Sequence, residues 1–436
     1  MRDKQVIQTK ASALSAGLVN ASILLYAIWL LIPAVQTTGG AAAGVFCVLL
    51  FGLGVLLDHA YLKKAWLDFL LRVLCAALLP LVFWFFLRRG GGHFWGYYCQ
   101  QGMFWFPLLY CAYARERGDV RLWRFLPIVL LGCMVLTTLT TIGWLVEGMQ
   151  RGGRIYAYSR SLGSGEPGRE AYLKELMLRN IGGYDFIYAS VISLPIVCHL
   201  ALTRQGWARV GFWALCLAQL VMIILSQYTY AAIFAAAILA VELLSALLRG
   251  GLRKFFGRRI SVLHSFLWCL LLFAALFLWR VPLVTWAAAL CEGAGFSNFA
   301  NSLTQLLYTL TGQASDAASR LDYYRLPMVG FAQSPLIGSL GGGEKLLSQH
   351  SDILDLLSGV GAIGAGAVLV MIWCMGRGLF RGAAGSPAKP HFLLQGAVLM
   401  ACALLGTVTY SRDIPFVICA GALVVLEAGE KSLKSV

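Results

Sequence analysis

The stretch VRLWRFLPIVLLGCMVLTTLTTIGWLV, which runs from Val120 to Val146, decides the fold class. It contains no charged residue after Arg124. A helix needs about 20 apolar residues to cross the hydrocarbon core of a bilayer, so this stretch is long enough to span a membrane. Comparable runs recur along the 436 residues, of which 59% are hydrophobic and 13% charged, whereas soluble domains carry about 25% charged residues. The sequence therefore predicts an all-α protein, a polytopic transmembrane helical bundle that forms one integral membrane domain over residues 1–436.

The apolar runs predict about 12 membrane spans. We place them at 13–35, 40–57, 69–87, 97–113, 124–147, 183–203, 210–226, 229–248, 261–280, 357–376, 392–410 and 414–429. The formal net charge of +15 comes largely from Lys and Arg clusters in every second connecting segment. Such clusters follow the positive-inside rule and favour contact with membrane lipid headgroups, not with nucleic acid. We therefore expect a multi-pass protein of the cell (inner) membrane with both termini in the cytoplasm.

Two connecting segments on the predicted outer side are long, 148–182 and 281–355. The first turns helical at Glu170–Arg179, where apolar residues recur at helical spacing. The second holds an apolar stripe typical of a helix that lies in the membrane interface or packs on the outer face of the protein. The stripe consists of Phe299, Leu303, Leu306 and Leu310.

The later part of the second segment, from Ser319 to Gly364, reads SRLDYYRLPMVGFAQSPLIGSLGGGEKLLSQHSDILDLLSGVGAIG. It resembles the O-antigen ligase and polysaccharide polymerase family of bacterial membrane glycosyltransferases. In that family the corresponding loop has Arg, aromatic, Arg, then Pro-x-x-Gly with a Gly turn, then His and a Leu-rich helix ending in Gly-x-x-Gly. The matching positions are Arg320, Tyr324, Arg325, Pro335, Gly338, His350, Leu354, Gly361 and Gly364. Two features depart from the family: Gln227-Tyr228 replaces a frequent Ser-Arg, and Arg179 to Gly182 matches the first-loop arginine motif only loosely.

The resemblance implies transfer of a glycan from a polyprenyl-diphosphate-linked oligosaccharide donor to a hydroxyl of a glycan acceptor. Negative charge then develops on the departing diphosphate. No Asp-x-Asp pair stands on the predicted outer side to hold a metal ion, and we expect no cofactor. Arginine is always charged and binds phosphate oxygens through two donors at once, so Arg320, Arg325 and Arg179 are the predicted diphosphate-binding residues. The alternative for Arg179 is an ordinary surface pair with Glu175, four residues earlier.

His350 is the only histidine in the two long outer segments. An imidazole can accept the proton of the acceptor hydroxyl as general base, and Asp352 is a second candidate for that role. The alternative for Asp352 is ordinary helix capping, with Ser348 or Ser351 as the N-cap residue. Tyr324, Asp185 and Tyr228 are predicted to line the substrate cavity, although tyrosines at this depth often serve as interface anchors.

The leading functional hypothesis is an inverting, metal-independent glycosyltransferase that polymerises lipid-linked repeat units into a surface polysaccharide. An O-antigen-type ligase that moves glycan from the same donor to another acceptor needs the same leaving-group chemistry. A lipid-linked oligosaccharide flippase is the alternative from another class. Transporters tend to carry charged residues within their spans, and Arg72 with a few residues near span ends supplies nearly all such charge here. A membrane scaffold without catalysis is the fourth reading.

Overall fold

A computed structural model describes most of the chain. The described residues are 2–87, 94–117, 120–152, 170–247, 278–311, 320–341, 345–348, 350–382, 386–406 and 413–434. Within these ranges the description leaves out the side chains of residues 2–12, 100, 104, 120–125, 127, 151–152, 170, 244–247, 309–310, 320–322, 378–382 and 429–434. Predicted features that lie outside the described residues include most of the 261–280 span and the glycines of the 342–343 turn.

The described residues fold into α-helices, with no strand among them. In chain order the helices are α1 Arg2–Leu31, α2 Pro33–Leu57, α3 His59–Val82, α4 Phe94–Phe104, α5 Phe106–Arg117, α6 Val120–Gly152, α7 Glu170–Leu178, α8 Tyr184–Thr203, α9 Gly206–Ser226, α10 Thr229–Leu247, α11 Arg280–Gly293, α12 Ser297–Thr311, α13 Arg320–Gln333, α14 Asp352–Gly382, α15 Lys389–Leu405 and α16 Asp413–Lys434. A π-helical turn, Phe83–Leu87, continues α3, and a 3-10 turn, Gly338–Gly341, precedes α14.

Seven helices in the described part of the chain are long and apolar enough to cross a membrane. They confirm an all-helical, multi-span membrane protein. The predicted span at 97–113 is instead two shorter helices, α4 and α5, which meet at Trp105. The apolar helices Thr229–Leu243 and Lys389–Leu405 are also shorter than a full span. The total of about 12 spans stays a prediction.

Helix α8 forms the centre of the bundle. Of its apolar window, 89% is buried, compared with 28–50% for the other six candidate spans. It packs against α9, α10, α15 and α16. A helix that is apolar on all sides is typically buried, so α8 is the most buried candidate span and the core of the group that it forms with α9, α10, α15 and α16.

Threonines on α6 hold the turn that leads into α8. Thr140 donates to the Asn180 carbonyl at 2.6 Å, and the Gly182 amide donates to Thr141 at 2.8 Å. Thr137 donates to the carbonyl of Leu31, at the end of α1, at 2.8 Å. Backbone groups released at helix ends must find partners in a low-dielectric interior. These hydroxyls supply them and fix the start of α8.

Ion pairs connect the helices at one end of the bundle, where α1 begins and α16 ends. We call this the terminal end. Its pairs are Arg117–Asp58 at 3.0 Å, Arg72–Glu116 at 2.5 Å, Arg204–Glu427 at 2.8 Å and Arg377–Asp68 at 2.5 Å. The opposite end, which we call the long-loop end, carries the α9–α10 turn, helices α11 to α13 and the starts of α8, α14 and α16.

Candidate functional site

The turn before α14 places His350 and Asp352 in different surroundings. Ser351 is the N-cap residue, since its Oγ accepts from the Leu354 amide at 3.3 Å. The His350 amide donates to Ser348 Oγ at 3.1 Å, and the Ser348 amide donates to Asp355 Oδ1 at 2.7 Å. These short-range bonds give the turn a fixed shape, with His350 exposed and Asp352 only 6% exposed.

The carboxyl end of α15 is the point where predicted site residues meet. The Tyr324 hydroxyl donates to the Leu405 carbonyl at 3.0 Å, and the Asp352 amide donates to the Gly406 carbonyl at 3.2 Å. The Tyr184 hydroxyl approaches Gly406 so closely that a Cβ there would lie 3.3 Å from it. Helices α8, α13, α14 and α15 therefore contribute to one location at the long-loop end.

A tyrosine cluster extends this location towards α10. The Tyr184 ring centroid lies 4.6 Å from that of Tyr188 and 5.3 Å from that of Tyr228. Burial raises the pKa of the Tyr228 phenol, and the neighbouring Tyr184 and Asp185 raise it further. The phenol therefore stays protonated at neutral pH and can donate a hydrogen bond. Asp185, at the start of α8, is exposed.

Helix α13 carries two of the predicted arginines. Arg325 is exposed on it, and Arg320 is its first residue, with a side chain outside the described residues. The helix is continuous from Arg320 to Gln333 despite Pro327. Two positions five residues apart on a regular helix point about 140° apart, and α13 has no break at Pro327 that would bring positions 320 and 325 to the same side. On the same helix, the Tyr323 ring centroid lies 4.3 Å from that of His350.

Arg179 lies at the end of α7 in an exposed ion pair. Its Nη2 is 2.5 Å from Glu175 Oε1, and the two side chains are 60% and 55% exposed. The next residue, Asn180, adopts a left-handed conformation with φ 61°, and the Ile181 amide donates to the Leu176 carbonyl at 3.0 Å. This bonding pattern is typical of a helix C-terminus. Arg179 thus lies at the end of α7 and pairs with Glu175, the alternative that the four-residue spacing had indicated.

A backbone junction between the Pro335–Gly341 segment and α14 is a feature that the sequence did not predict. Helix α14 is broken at Gly361, where φ is 65° and ψ −176°. The amides of Ala362 and Ile363 donate to the carbonyls of Pro335 and Leu336, at 2.8 and 3.0 Å. The Pro-x-x-Gly and Gly-x-x-Gly spacings were the signal in the sequence, but which segment contacts which could not be read from them.

A buried charged pair at the terminal end was also missed. Glu242 on α10 lies 2.6 Å from His391 on α15, and both side chains are at least 90% buried. The His199 ring centroid is 4.7 Å from that of His391. Buried ionisable residues in membrane helices are costly and usually paired. The described helices therefore hold a buried pair of ionisable side chains beyond the residues noted in the sequence.

Among the residues that the structure describes, no group of three or more His, Cys, Asp or Glu side chains is arranged to hold a metal ion. Arg325 on α13 and His350 in the turn before α14 are both exposed. Comparison of the chain with protein-family models and with curated proteins finds no match.

Proposed function

We propose that this protein is an inverting, metal-independent glycosyltransferase that polymerises polyprenyl-diphosphate-linked oligosaccharide repeat units. The observation that carries the proposal is the convergence at the carboxyl end of α15. Three residues from distant parts of the chain meet there. The Tyr324 hydroxyl bonds to Leu405, the Asp352 amide bonds to Gly406, and the Tyr184 hydroxyl lies beside Gly406. Tyr228 lies against Tyr184, and His350 lies two residues before Asp352.

In the proposed reaction the acceptor hydroxyl attacks the anomeric carbon of the donor sugar from the face opposite the diphosphate. His350 accepts the hydroxyl proton as the new C–O bond forms, and the bond from the anomeric carbon to the diphosphate oxygen breaks with its electron pair. One of the arginines of α13, Arg320 or Arg325, stabilises the charge that develops on the diphosphate, since the two positions face different sides of the helix. Fixed guanidinium groups are effective in this role because they need no reorganisation during the reaction.

We place the long-loop end on the outer side of the cell membrane. Basic residues support this orientation, because the terminal end carries Lys63, Lys64, Arg115, Arg117, Arg204, Arg209, Arg377 and Lys389. The long-loop end also has an apolar surface suited to a lipid-linked donor. Helix α11 has no buried residue in its described range, and Trp279, just before it, and Trp286 are 67% and 65% exposed. Exposed tryptophans are typical of the membrane–water interface.

The direct test supplies the purified protein with a polyprenyl-diphosphate oligosaccharide and separates the products by size. A ladder of lengthened glycans is the result we expect. Transfer only to a different lipid or surface acceptor would identify a ligase, and movement between leaflets without a new glycosidic bond would identify a flippase. Addition of a chelator should leave the rate unchanged, because the proposal assigns the leaving-group charge to arginine; a rate that collapses and returns with magnesium contradicts it.

The flippase remains the second candidate, because the buried Glu242–His391 pair is a feature of transport pathways. The two functions make opposite predictions for Glu242→Gln. A flippase that uses the pair should lose lipid translocation. A glycosyltransferase should keep its turnover per folded molecule. The comparison is made at equal amounts of folded protein, measured by monodisperse elution in detergent.

A further inference from the structure

Backbone groups released by the break in α14 bond to the preceding loop. Interrupting the helix at Gly361 releases the amides of Ala362 and Ile363, which bond instead to the carbonyls of Pro335 and Leu336. It also releases the Gly359 carbonyl, which accepts from Ser339 Oγ at 2.8 Å. We call this junction, made by residues 335–339 and 359–363, the backbone clasp.

Two glycines make the clasp possible. Gly338 and Gly361 both have positive φ, at 59° and 65°. A Cβ at Gly361 would lie 2.4 Å from the Ile337 nitrogen, and a Cβ at Gly338 would lie 2.5 Å from the Gly361 nitrogen. These contacts are with backbone atoms, which cannot turn away as a flexible side chain can. Any other residue at either position therefore has to separate the two segments.

The clasp lies between the two groups of residues assigned to the site. Helix α13, with Tyr323 and Arg325, ends at Gln333, immediately before it. The first segment of α14, which begins at Asp352 beside His350, ends at the break. A second contact supports the same arrangement, since a Cβ at Gly330 on α13 would lie 2.3 Å from Ser358 Oγ. The position of Arg325 relative to His350 thus depends on this junction.

We infer that Gly338 and Gly361 are positioning residues, which set the distance between the arginines of α13 and His350. The expected effect on turnover rests on the proposed function, whereas the expected effect on the distance between α13 and His350 does not. A misplacement of about 1 Å at a reacting centre lowers turnover by about 100-fold. Opening the clasp should therefore lower kcat strongly, while the donor KM changes little, because the individual donor-binding side chains remain present.

The structural test uses the full chain with Tyr323→Cys and His350→Cys, whose native rings lie 4.3 Å apart. A short bifunctional thiol reagent links the two positions, and mass spectrometry of the linked peptides gives the yield. We expect Gly361→Ala to reduce this yield severalfold. Gly366→Ala is the matched control, since it lies on the same helix with nothing within 4 Å of an added Cβ. An unchanged yield in Gly361→Ala overturns the inference.

The kinetic test uses Ser339→Ala, which removes one bond of the clasp without a steric clash and so guards against a variant that fails to fold. We expect a several-fold lower kcat with an unchanged donor KM. Wild-type kcat in both Ser339→Ala and Gly361→Ala would contradict the positioning role. If the wild-type protein transfers no glycan at all, the proposed function fails, and the cross-linking yield still decides whether the clasp holds the two elements together.

Discussion

His350 and Asp352 are two residues apart, yet the fold gives them different environments. His350 is exposed beside the Tyr323 ring, whereas Asp352 is buried in the first turn of α14, with its amide bonded to Gly406. A group that takes a proton from a substrate has to be reachable by it. The exposed imidazole meets this condition better than the buried carboxylate, so the proposed mechanism uses His350 as the general base and gives Asp352 a structural contribution.

His350→Ala tests this assignment. Because a positioned general base contributes about 100-fold or more to the rate, we expect glycan transfer to fall by at least that factor. The side chain is exposed, so the thermal unfolding midpoint in detergent should stay close to that of the wild type. Gln333→Ala, an exposed position at the end of α13, serves as the control. A His350→Ala variant with near-normal turnover removes His350 from the mechanism.

Arg72 shows the cost of a buried charge at the terminal end. Its side chain is 3% exposed, and its Nη2 lies 2.5 Å from Glu116 Oε1. Among the described residues its Nε and Nη1 have no hydrogen-bond partner. Tyr61 donates to the second oxygen of Glu116 at 2.9 Å. Glu116 is therefore the counter-charge on which the burial of Arg72 depends.

Removing Glu116 should destabilise the protein more than removing the arginine. Glu116→Gln leaves the Arg72 charge buried without its partner, and breaking a buried pair in this way costs about 3–5 kcal/mol. Arg72→Met removes the charge and keeps an apolar side chain, so the loss should be smaller. Thermal unfolding of both variants in the same detergent measures the difference. Equal midpoints for the two would contradict the expected cost of leaving the Arg72 charge buried without its partner.

At the scale of elements, the start of α12 is bonded to the end of α9 through Asn298 and Gln227. The Asn298 amide donates to Gln227 Oε1 at 3.1 Å, and Asn298 Nδ2 donates to the Gln227 carbonyl at 3.2 Å. Gln227 itself adopts a left-handed conformation, φ 54°, at the end of α9. The predicted apolar stripe divides accordingly: Phe299 is buried beside this joint, while Leu306 further along α12 is 40% exposed. The part of the stripe at Phe299 thus packs on the protein, and a membrane-interface position for the rest of the helix stays a prediction.

Asn298→Ala should loosen the α11–α12 hairpin. The substitution removes one of the two bonds, so the amides of α11 and α12 should open more often and exchange hydrogen faster. The exchange rates are measured by mass spectrometry of peptides from 280–311. Asn301→Ala, an exposed position on the same helix, should leave them unchanged. Identical exchange in the two variants would show that the hairpin is held by other contacts.

At the scale of the whole molecule, the two ends of the bundle differ in charge and in architecture. The terminal end is tied by ion pairs, and the long-loop end carries the site and the exposed apolar surface of α11. This asymmetry matches the rule that basic clusters stay in the cytoplasm. It is the basis for placing the candidate site outside.

Cysteine labelling tests the orientation in intact cells. In a Cys99→Ser background, which removes an exposed native thiol, single substitutions Gln333→Cys and Arg209→Cys are made at exposed positions of opposite ends. A membrane-impermeant maleimide should modify Gln333→Cys directly and Arg209→Cys only after permeabilisation. The reverse pattern would place the site in the cytoplasm and contradict the proposed use of an outward-facing donor.

Local sequence patterns determined the helices and much of their placement. The apolar runs, the helix predicted at Glu170–Arg179 and the cap at Ser348 or Ser351 depend on residues within a few turns of each other, and the structure has α7 at Glu170–Leu178 and Ser351 as the cap. The i,i+4 spacing likewise indicated the Arg179–Glu175 pair. Periodicity, charge clusters and capping residues are local properties, so the sequence alone carries them.

Only the tertiary structure decided which distant residues meet. The contact of Tyr324 with Leu405, the pairing of Glu242 with His391 and the clasp between Pro335 and Ala362 join residues or segments that are far apart in the chain or separated by a helix break. Such contacts depend on how helices pack around α8, and packing follows from the summed shape of many side chains rather than from any one motif. Gly338 and Gly361 entered the sequence analysis only as positions in a motif, because the backbone approach that leaves no room for a Cβ at either position arises from the tertiary structure.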